Sequence, residues 1–209
     1  MHRILLAVCA GISLWGLSTV ANAQPADTVA IRGFKVEYAQ VGLDKLQRVQ
    51  SSLEHQMKIV EQSGVPADVL DFFKSVPLVM VADLDKKFGF ARTKMDNGPP
   101  QVEIKVAKLP EDRPILLHEL LHAYHSAKLG STPMIRDSYQ QALRSGIYPK
   151  RYADAHFLEN PREYFAVIGS IFLYSKRIDQ PPFYCELPAK YQPQFIEFLA
   201  HQFGPHPCK

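Results

Sequence analysis

The sequence has 209 residues, a formal net charge of +3, and 46% hydrophobic and 22% charged residues. This length suits one globular domain with a sizeable core, and the ordinary composition excludes a low-complexity or repeat protein. The charge is too small to indicate a nucleic acid or an anionic surface as a partner. We therefore expect one folded domain whose function depends on local motifs.

The N-terminus has the pattern of a secretory signal peptide. Met1-His2-Arg3 precedes an apolar run from Ile4 to Val20, and Ala21-Asn22-Ala23 supplies the small residues of a cleavage site. We predict that residues 1–23 are removed by cleavage after Ala23 and that residues 24–209 form the mature domain. An uncleaved anchor is the alternative, but small residues within the run favour removal. The protein is thus expected to be periplasmic or secreted, without a stable membrane anchor.

Two cysteines remain in the mature chain, Cys185 and Cys208. Export permits a disulfide between them, which would tie the C-terminal tail back across the last predicted helix. Two free thiols are the alternative, because the sequence gives no distance between the sulfur atoms.

The first half of the mature chain predicts strands and two helices. Thr28 to Tyr38 alternates apolar and polar residues, which predicts a strand with a candidate bulge at Gly33. The helical periodicity of Leu43 to Glu61 predicts a helix, and a shorter helix is expected from Pro66 to Phe73. The apolar run from Pro77 to Ala82 is typical of a central strand.

Two further strands are predicted before the most informative segment of the chain. They run from Phe88 to Thr93 and from Gln101 to Ala107, and the turn-forming residues around Gly98 indicate a hairpin. The second strand, with Val102 and Ile104, leads directly into the next helix. If its edge is free, an extended peptide can add to the sheet there by backbone pairing, and an ordinary edge strand is the alternative.

The next predicted helix begins at Asp112 to Pro114 and ends at Gly130, and it contains the pattern His118-Glu119-x-x-His122. Residues four apart lie on one face of a helix, so the two histidines can bind a single ion. Glu119 lies near the same face and can reach a water on that ion. Zinc bound by two His and a carboxylate lowers the pKa of its water to about 7.

A structural helix with two solvated histidines is the alternative to this catalytic interpretation. The motif is surrounded by leucines, however, which predicts that the helix is largely buried. Buried His and Glu side chains need partners, and a metal ion supplies them. The pattern therefore favours a metal site.

The C-terminal half is predicted to be mostly helical. Helices are expected from Pro133 to Arg144, from Pro161 to about Tyr174 and from about Pro188 to Phe203. An irregular stretch separates the first two and extends to Leu158. Together with the strands, these helices predict an α+β protein.

A catalytic zinc site of this kind needs a third protein ligand. Glu163, in the first turn of the helix that begins at Pro161, is the best candidate, and Glu159 is its rival one turn earlier. Asn160 as N-cap with Glu163 at the third position also resembles a capping box, which would give Glu163 a purely structural role. The residues alone leave these alternatives open.

The two motifs together resemble the Glu-zincin metallopeptidases of the anthrax lethal factor-like group, which includes secreted Pro-Pro endopeptidases. The second motif is Asn160-x-x-Glu163-Tyr164-Phe165-Ala166, and the resemblance covers roughly residues 113–175. It implies that His118, His122 and Glu163 bind zinc and that Glu119 is the general base. It also implies a zincin-like fold, with a small mixed sheet on one side of the zinc helix and helices on the other.

Two features depart from the family pattern. Val167 follows the Phe-Ala pair, where the family has an acid. The tyrosine that steadies the oxyanion in the family falls near His156 here, with Tyr152 one turn earlier. Either side chain can donate a hydrogen bond to the oxyanion, and Tyr148 is a weaker candidate. A packing or surface role is the alternative for all three.

These observations predict an exported, monomeric zinc metallopeptidase that acts on a peptide or protein substrate. One alternative is a secreted binding module that zinc stabilises and that performs no turnover. Another is a zinc amidase that acts on cell-wall peptides. Glu119 favours an enzyme, because a purely structural zinc site has no use for a general base.

Overall fold

The computed structural model of the chain describes residues 27–95, 98–146, 148, 155–174 and 192–205. The expected signal peptide, Cys185 and Cys208 lie outside these ranges. The described strands are β1 Thr28–Ile31, β2 Phe34–Glu37, β3 Leu78–Val81, β4 Ala91–Lys94 and β5 Gln101–Lys105. The described α-helices are α1 Leu43–Glu61, α2 Ala67–Ser75, α3 Ile115–Tyr124, α4 Pro133–Ser145, α5 Pro161–Tyr174 and α6 Pro193–Phe203.

The strands form one mixed sheet in the order β1-β2-β3-β5-β4. β2, β3 and β5 are parallel neighbours, while β1 and β4 pair antiparallel with β2 and β5 at the two edges. All four residues of β3 are buried, which explains its continuous apolar sequence. The predicted α+β class and the predicted mixed sheet are confirmed.

The segment from Thr28 to Tyr38 is a hairpin, so the prediction of a single strand was wrong. Arg32 and Gly33 both have positive φ, 50° and 80° respectively. Positive φ at two successive central residues is the geometry of a two-residue type I′ turn, whose twist matches that of the flanking strands. The apolar alternation shifts by one residue at the turn, because Ile31 and Phe34 are three residues apart and form a cross-strand pair. A shift of one residue is also typical of a bulge, so periodicity alone did not reveal the reversal.

Among the described strands, β4 is the sheet edge beside the motif helix. β5 is paired on both sides, with β3 and with β4, so the suggestion that β5 offers an edge was wrong. The Phe88 end of the predicted strand instead forms a 3₁₀ turn, Lys86–Phe88, and β4 begins at Ala91. The hairpin between β4 and β5 is confirmed.

The motif helix α3 lies at the centre of the packing. It packs against β4 and β5 of the sheet and against α1 and α5. Its buried apolar residues are Leu116, Leu117, Leu120, Leu121 and Ala123. At Gly169 of α5, an added Cβ would lie 3.3 Å from Cδ1 of Leu121. The absence of a side chain at Gly169 thus helps α5 to approach α3 closely.

The end of one helix and the start of another differ clearly from the predictions. α3 ends at Tyr124 and continues as a π-helical turn, His125–Leu129, before Gly130. The last described helix begins at Pro193 rather than near Pro188, and residues 175–191 lie outside the described ranges. α1 and α5 have the predicted bounds. No helix within the described ranges combines the length and apolar content needed to span a bilayer.

A buried glutamine of α1 holds the start of α3. Pro114 precedes α3 and has no side-chain oxygen to accept a bond from the first free N–H groups. Gln56 is fully buried, and its Oε1 accepts a hydrogen bond from the N–H of Leu116 at 3.2 Å. Its Nε2 donates to the carbonyls of Pro110 at 2.6 Å and Arg113 at 2.7 Å. This one amide therefore satisfies groups of α3 and of the loop before it.

We expect Gln56→Met to lower the free energy of unfolding by about 3 kcal/mol, because it removes three hydrogen bonds to the backbone and leaves the buried N–H of Leu116 without this partner, while it conserves volume. Gln47→Met is the matched control, since Gln47 lies exposed on the same helix. Urea denaturation of both variants measures the difference. A Gln56→Met variant as stable as the Gln47→Met variant would contradict this role.

Candidate metal and catalytic site

The two motif histidines face each other across one turn of α3. Nε2 of His118 lies 3.1 Å from Nε2 of His122, and the His122 side chain is almost completely buried. Two ring nitrogens at this distance cannot both present lone pairs to each other without a proton or a cation between them. The buried Nδ1 of His122 has no hydrogen-bond partner among the described residues. The polar contacts of this ring are therefore concentrated on its Nε2 side.

The carboxylate of Glu163 completes a triangle with these nitrogens. Its Oε2 lies 3.2 Å from Nε2 of His122 and 3.4 Å from Nε2 of His118. Ligand atoms on a tetrahedral zinc ion, at bond lengths near 2.05 Å, are separated by about 3.3 Å. The three atoms thus have the spacing of three corners of such a site, and two His with one Glu are a donor set that zinc takes in enzymes.

The electrostatics of this triangle keep Glu163 ionised. Burial by itself would raise the pKa of Glu163, but its hydrogen bonds with His118 and His122 and its electrostatic attraction to these rings outweigh that effect. The pKa of Glu163 therefore lies below its ordinary value. An ionised carboxylate is the form that binds a metal ion.

Asn160 explains why the Glu163 carboxylate can face the histidines. Oδ1 of Asn160 accepts hydrogen bonds from the backbone N–H groups of Arg162 and Glu163, both at 3.0 Å. This cap satisfies the first turn of α5 without the Glu163 side chain, whose contacts are instead with the ring nitrogens. The rival, Glu159, is exposed and pairs with Nδ1 of His156 at 2.9 Å.

His156 lies at the open side of the triangle. Its Nε2 is 2.9 Å from Oε2 of Glu163, and its side chain is 56% exposed. Ligand atoms of His118, His156 and Glu163 lie within 4.8 Å of one another, so His156 can itself contribute to a metal site. Burial lowers the pKa of His156, but its hydrogen bond to Glu159 and the nearby carboxylates raise it above the ordinary value. A protonated ring in this place is a hydrogen-bond donor.

Of the two tyrosines considered as oxyanion donors, one is described by the structure and the other is not. Tyr152 lies outside the described residues. Tyr148 is buried against the ring of Phe157, with the ring centroids 4.9 Å apart, and it lines neither of the two cavities next to the histidines. Its packing favours a structural role. Among the described residues, His156 remains the candidate donor of a hydrogen bond to the oxyanion.

A threonine of the edge strand orients Glu119. Glu119 is buried, and its Oε2 accepts a hydrogen bond from Oγ1 of Thr93 at 2.8 Å. The same hydroxyl lies 2.7 Å from the backbone oxygen of Glu119. Thr93 therefore joins β4 to the motif helix at the residue expected to act as a base. No sequence signal indicated this contact, because it depends on how the strand packs against α3.

Two cavities open on the site. One has a volume of about 720 Å³ and the other about 620 Å³, and both are bordered by His118, Glu119 and His156. The smaller cavity also reaches Thr93 and Glu163. The candidate metal site thus lies in a groove with room for an extended ligand on both sides.

No protein-family model matches the sequence, and no curated protein matches it. Among solved structures, the chain is similar to one described as "Structure of the PRO-PRO endopeptidase (PPEP-2) from Paenibacillus alvei". The identity is 17%, the TM-score is 0.48, and the match covers 80% of this chain and 96% of that chain. At this level, the likeness by itself assigns neither a family nor an activity to the protein.

Asn160→Ala should lower the free energy of unfolding of the metal-free protein by about 1 kcal/mol, because the first turn of α5 loses its cap. Asn160→Asp should keep most of the stability, since an aspartate accepts the same two hydrogen bonds. Chemical denaturation in the presence of a chelator measures both variants. Equal stability of the alanine variant and the wild type would show that Asn160 does not cap this helix.

Proposed function

We propose that the protein is an exported zinc-dependent peptidase, in which His118, His122 and Glu163 bind the ion and Glu119 is the general base. The observation that carries this proposal is the triangle of two imidazole nitrogens and one carboxylate oxygen, with sides of 3.1, 3.2 and 3.4 Å. Its open side faces a groove rather than protein interior. A site that only stabilised the fold would be expected to close its coordination with a fourth protein ligand. His156 is the residue that could do so, and this proposal assigns it to the substrate because its side chain is 56% exposed.

When bound, zinc supplies a Lewis acid and makes a nucleophilic water available near neutral pH. Glu119 takes the proton of the attacking water and transfers it to the leaving amine. Thr93 fixes one carboxylate oxygen of Glu119 and leaves the other for this proton. Nε2 of His156 lies 2.9 Å from Oε2 of Glu163; in this proposal its N–H turns from that carboxylate to the carbonyl oxygen as negative charge develops there. General acid–base groups of this kind contribute a factor of about 10² to 10⁴ to the rate.

The substrate in this proposal is a peptide that extends along β4. β4 pairs with β5 on one side, and no described strand pairs with its other side. A peptide added at that edge would place its backbone beside Thr93 and Glu119, because Thr93 bonds directly to Glu119. Backbone pairing would then hold the scissile bond next to the candidate ion site.

The direct test compares the zinc-loaded wild type with Glu119→Gln on a mixed peptide library, with cleavage products identified by mass spectrometry. We expect cleavage by the wild type, its loss with a chelator, and at least about a 100-fold lower rate for Glu119→Gln. The variant should keep its zinc, because Glu119 is not a ligand. Glu197→Gln, the same change at an exposed position of α6, should retain wild-type activity.

Two outcomes would contradict this function. Zinc-loaded wild type that cleaves no peptide would favour a binding module without turnover. A Glu119→Gln variant as active as the wild type would exclude the assigned base. Digestion of muropeptides, run in parallel, tests the amidase alternative. An amidase would cleave the cell-wall peptides and leave the peptide library intact.

A further inference from the structure

The larger cavity beside Glu119 combines an apolar wall with a cationic rim. The wall is formed by partly buried or buried side chains of α3, of α5 and of the segments that precede β4 and α5: Phe90, Ile115, Phe157, Val167 and Ile171. Its volume of about 720 Å³ exceeds that of one side chain and falls in the range of pockets for small ligands. The cavity therefore has room for one apolar side chain of a bound peptide and for part of the adjacent residue of that peptide.

Three cations surround this wall, and none has an anionic partner among the described residues. They are Lys86 and Lys87 of the 3₁₀ turn before β4 and Arg113 just before α3, all three exposed. Lys87 additionally lies over the ring of Phe88, 4.6 Å from its centroid. The ion pairs formed by described residues include none of the three.

Among the described residues, neither the carboxylates that line the two cavities nor the acidic residues that adjoin the rim in the chain form an ion pair with it. Glu119 is the acidic residue that lines the larger cavity, and its carboxylate accepts a hydrogen bond from Thr93. Glu159 and Glu163 line the smaller cavity and contact histidines. Three cations at the mouth of one groove thus produce a positive local field that attracts an anionic group.

We propose that this cavity selects peptides with an apolar residue beside the scissile bond and an acidic residue within the next two positions. The apolar side chain packs on the wall between α3 and α5, and the carboxylate pairs with Lys86 and Arg113 at the rim. This inference rests on the proposed peptidase function, because the wall reaches His118 and Glu119 themselves. An exposed ion pair contributes modestly, so two or three together should give a preference of about fivefold.

The test uses two fluorescein-labelled peptides that are identical except for a Phe-Glu or a Phe-Gln pair at the centre. Binding to the zinc-loaded Glu119→Gln variant is measured by fluorescence anisotropy, and cleavage by the wild type is measured as kcat/KM. We expect the Glu peptide to bind about fivefold more tightly, and the preference to disappear at 1 M salt. The double variant Lys86→Met, Arg113→Met should lose the preference.

Lys58→Met is the matched control for the change in net charge, since Lys58 is exposed on α1 and lines neither cavity. It should keep the preference in full. Folding is not at risk in the double variant, because both side chains are exposed and the Arg113 carbonyl still accepts its bond from Gln56. Circular dichroism of each variant checks this.

The results of these binding and cleavage experiments distinguish a failure of the proposed selectivity from a failure of the proposed peptidase function. Equal binding of the two peptides, or a preference that survives in the double variant, would overturn the assigned selectivity. Cleavage of both peptides at equal rates would do the same while leaving the peptidase proposal intact. A preference in binding without any cleavage by the wild type would support the pocket and contradict the peptidase.

Discussion

The close approach of one carboxylate to two imidazoles is the constraint on which the rest of the site depends. Glu163 comes from α5, and the two histidines come from α3, so their atoms meet only if the two helices pack closely. Gly169 allows that approach against Leu121. Asn160 caps α5 and leaves the Glu163 side chain for the histidines, while Gln56 holds the start of α3 from the other direction. The two ring nitrogens, 3.1 Å apart, need a proton or a cation between them, and a metal ion would satisfy both of them together with the carboxylate.

The sheet positions Glu119 and does not supply any of the three candidate metal ligands. Its edge strand β4 carries Thr93, which binds the carboxylate of Glu119, and its other side is unpaired among the described strands. The strand that fixes the proposed base is therefore the same strand that can pair with a substrate backbone. This arrangement links the alignment of a peptide to the group that would activate water. The cationic turn just before β4 places its charges at the mouth of the same groove.

The sequence predicted those features that depend on local spacing. The bounds of α1 and α5 follow from periodicity, Pro161 and the apolar stripes, and the placement of His118 and His122 on one face follows from the helical repeat. The structure brings Glu163 to these residues, and its role as a ligand stays a prediction. Features that depend on distant contacts were not predictable. Thr93 and Glu119 are 26 residues apart, and Gln56 and Leu116 are 60 apart. The β1–β2 turn was not predicted, because the one-residue shift that it causes in the apolar alternation is also typical of a bulge.

The most direct measurement of the central claim is the zinc content of the purified mature protein by plasma mass spectrometry, with Glu163→Ala and Glu159→Ala beside the wild type. We expect about one zinc per chain in the wild type and in Glu159→Ala, and its loss in Glu163→Ala, because two imidazoles alone leave the site short of its third protein ligand. Wild-type protein that stays metal-free after zinc is added back would contradict the proposed metal site. So would a Glu163→Ala variant that retains its zinc in full.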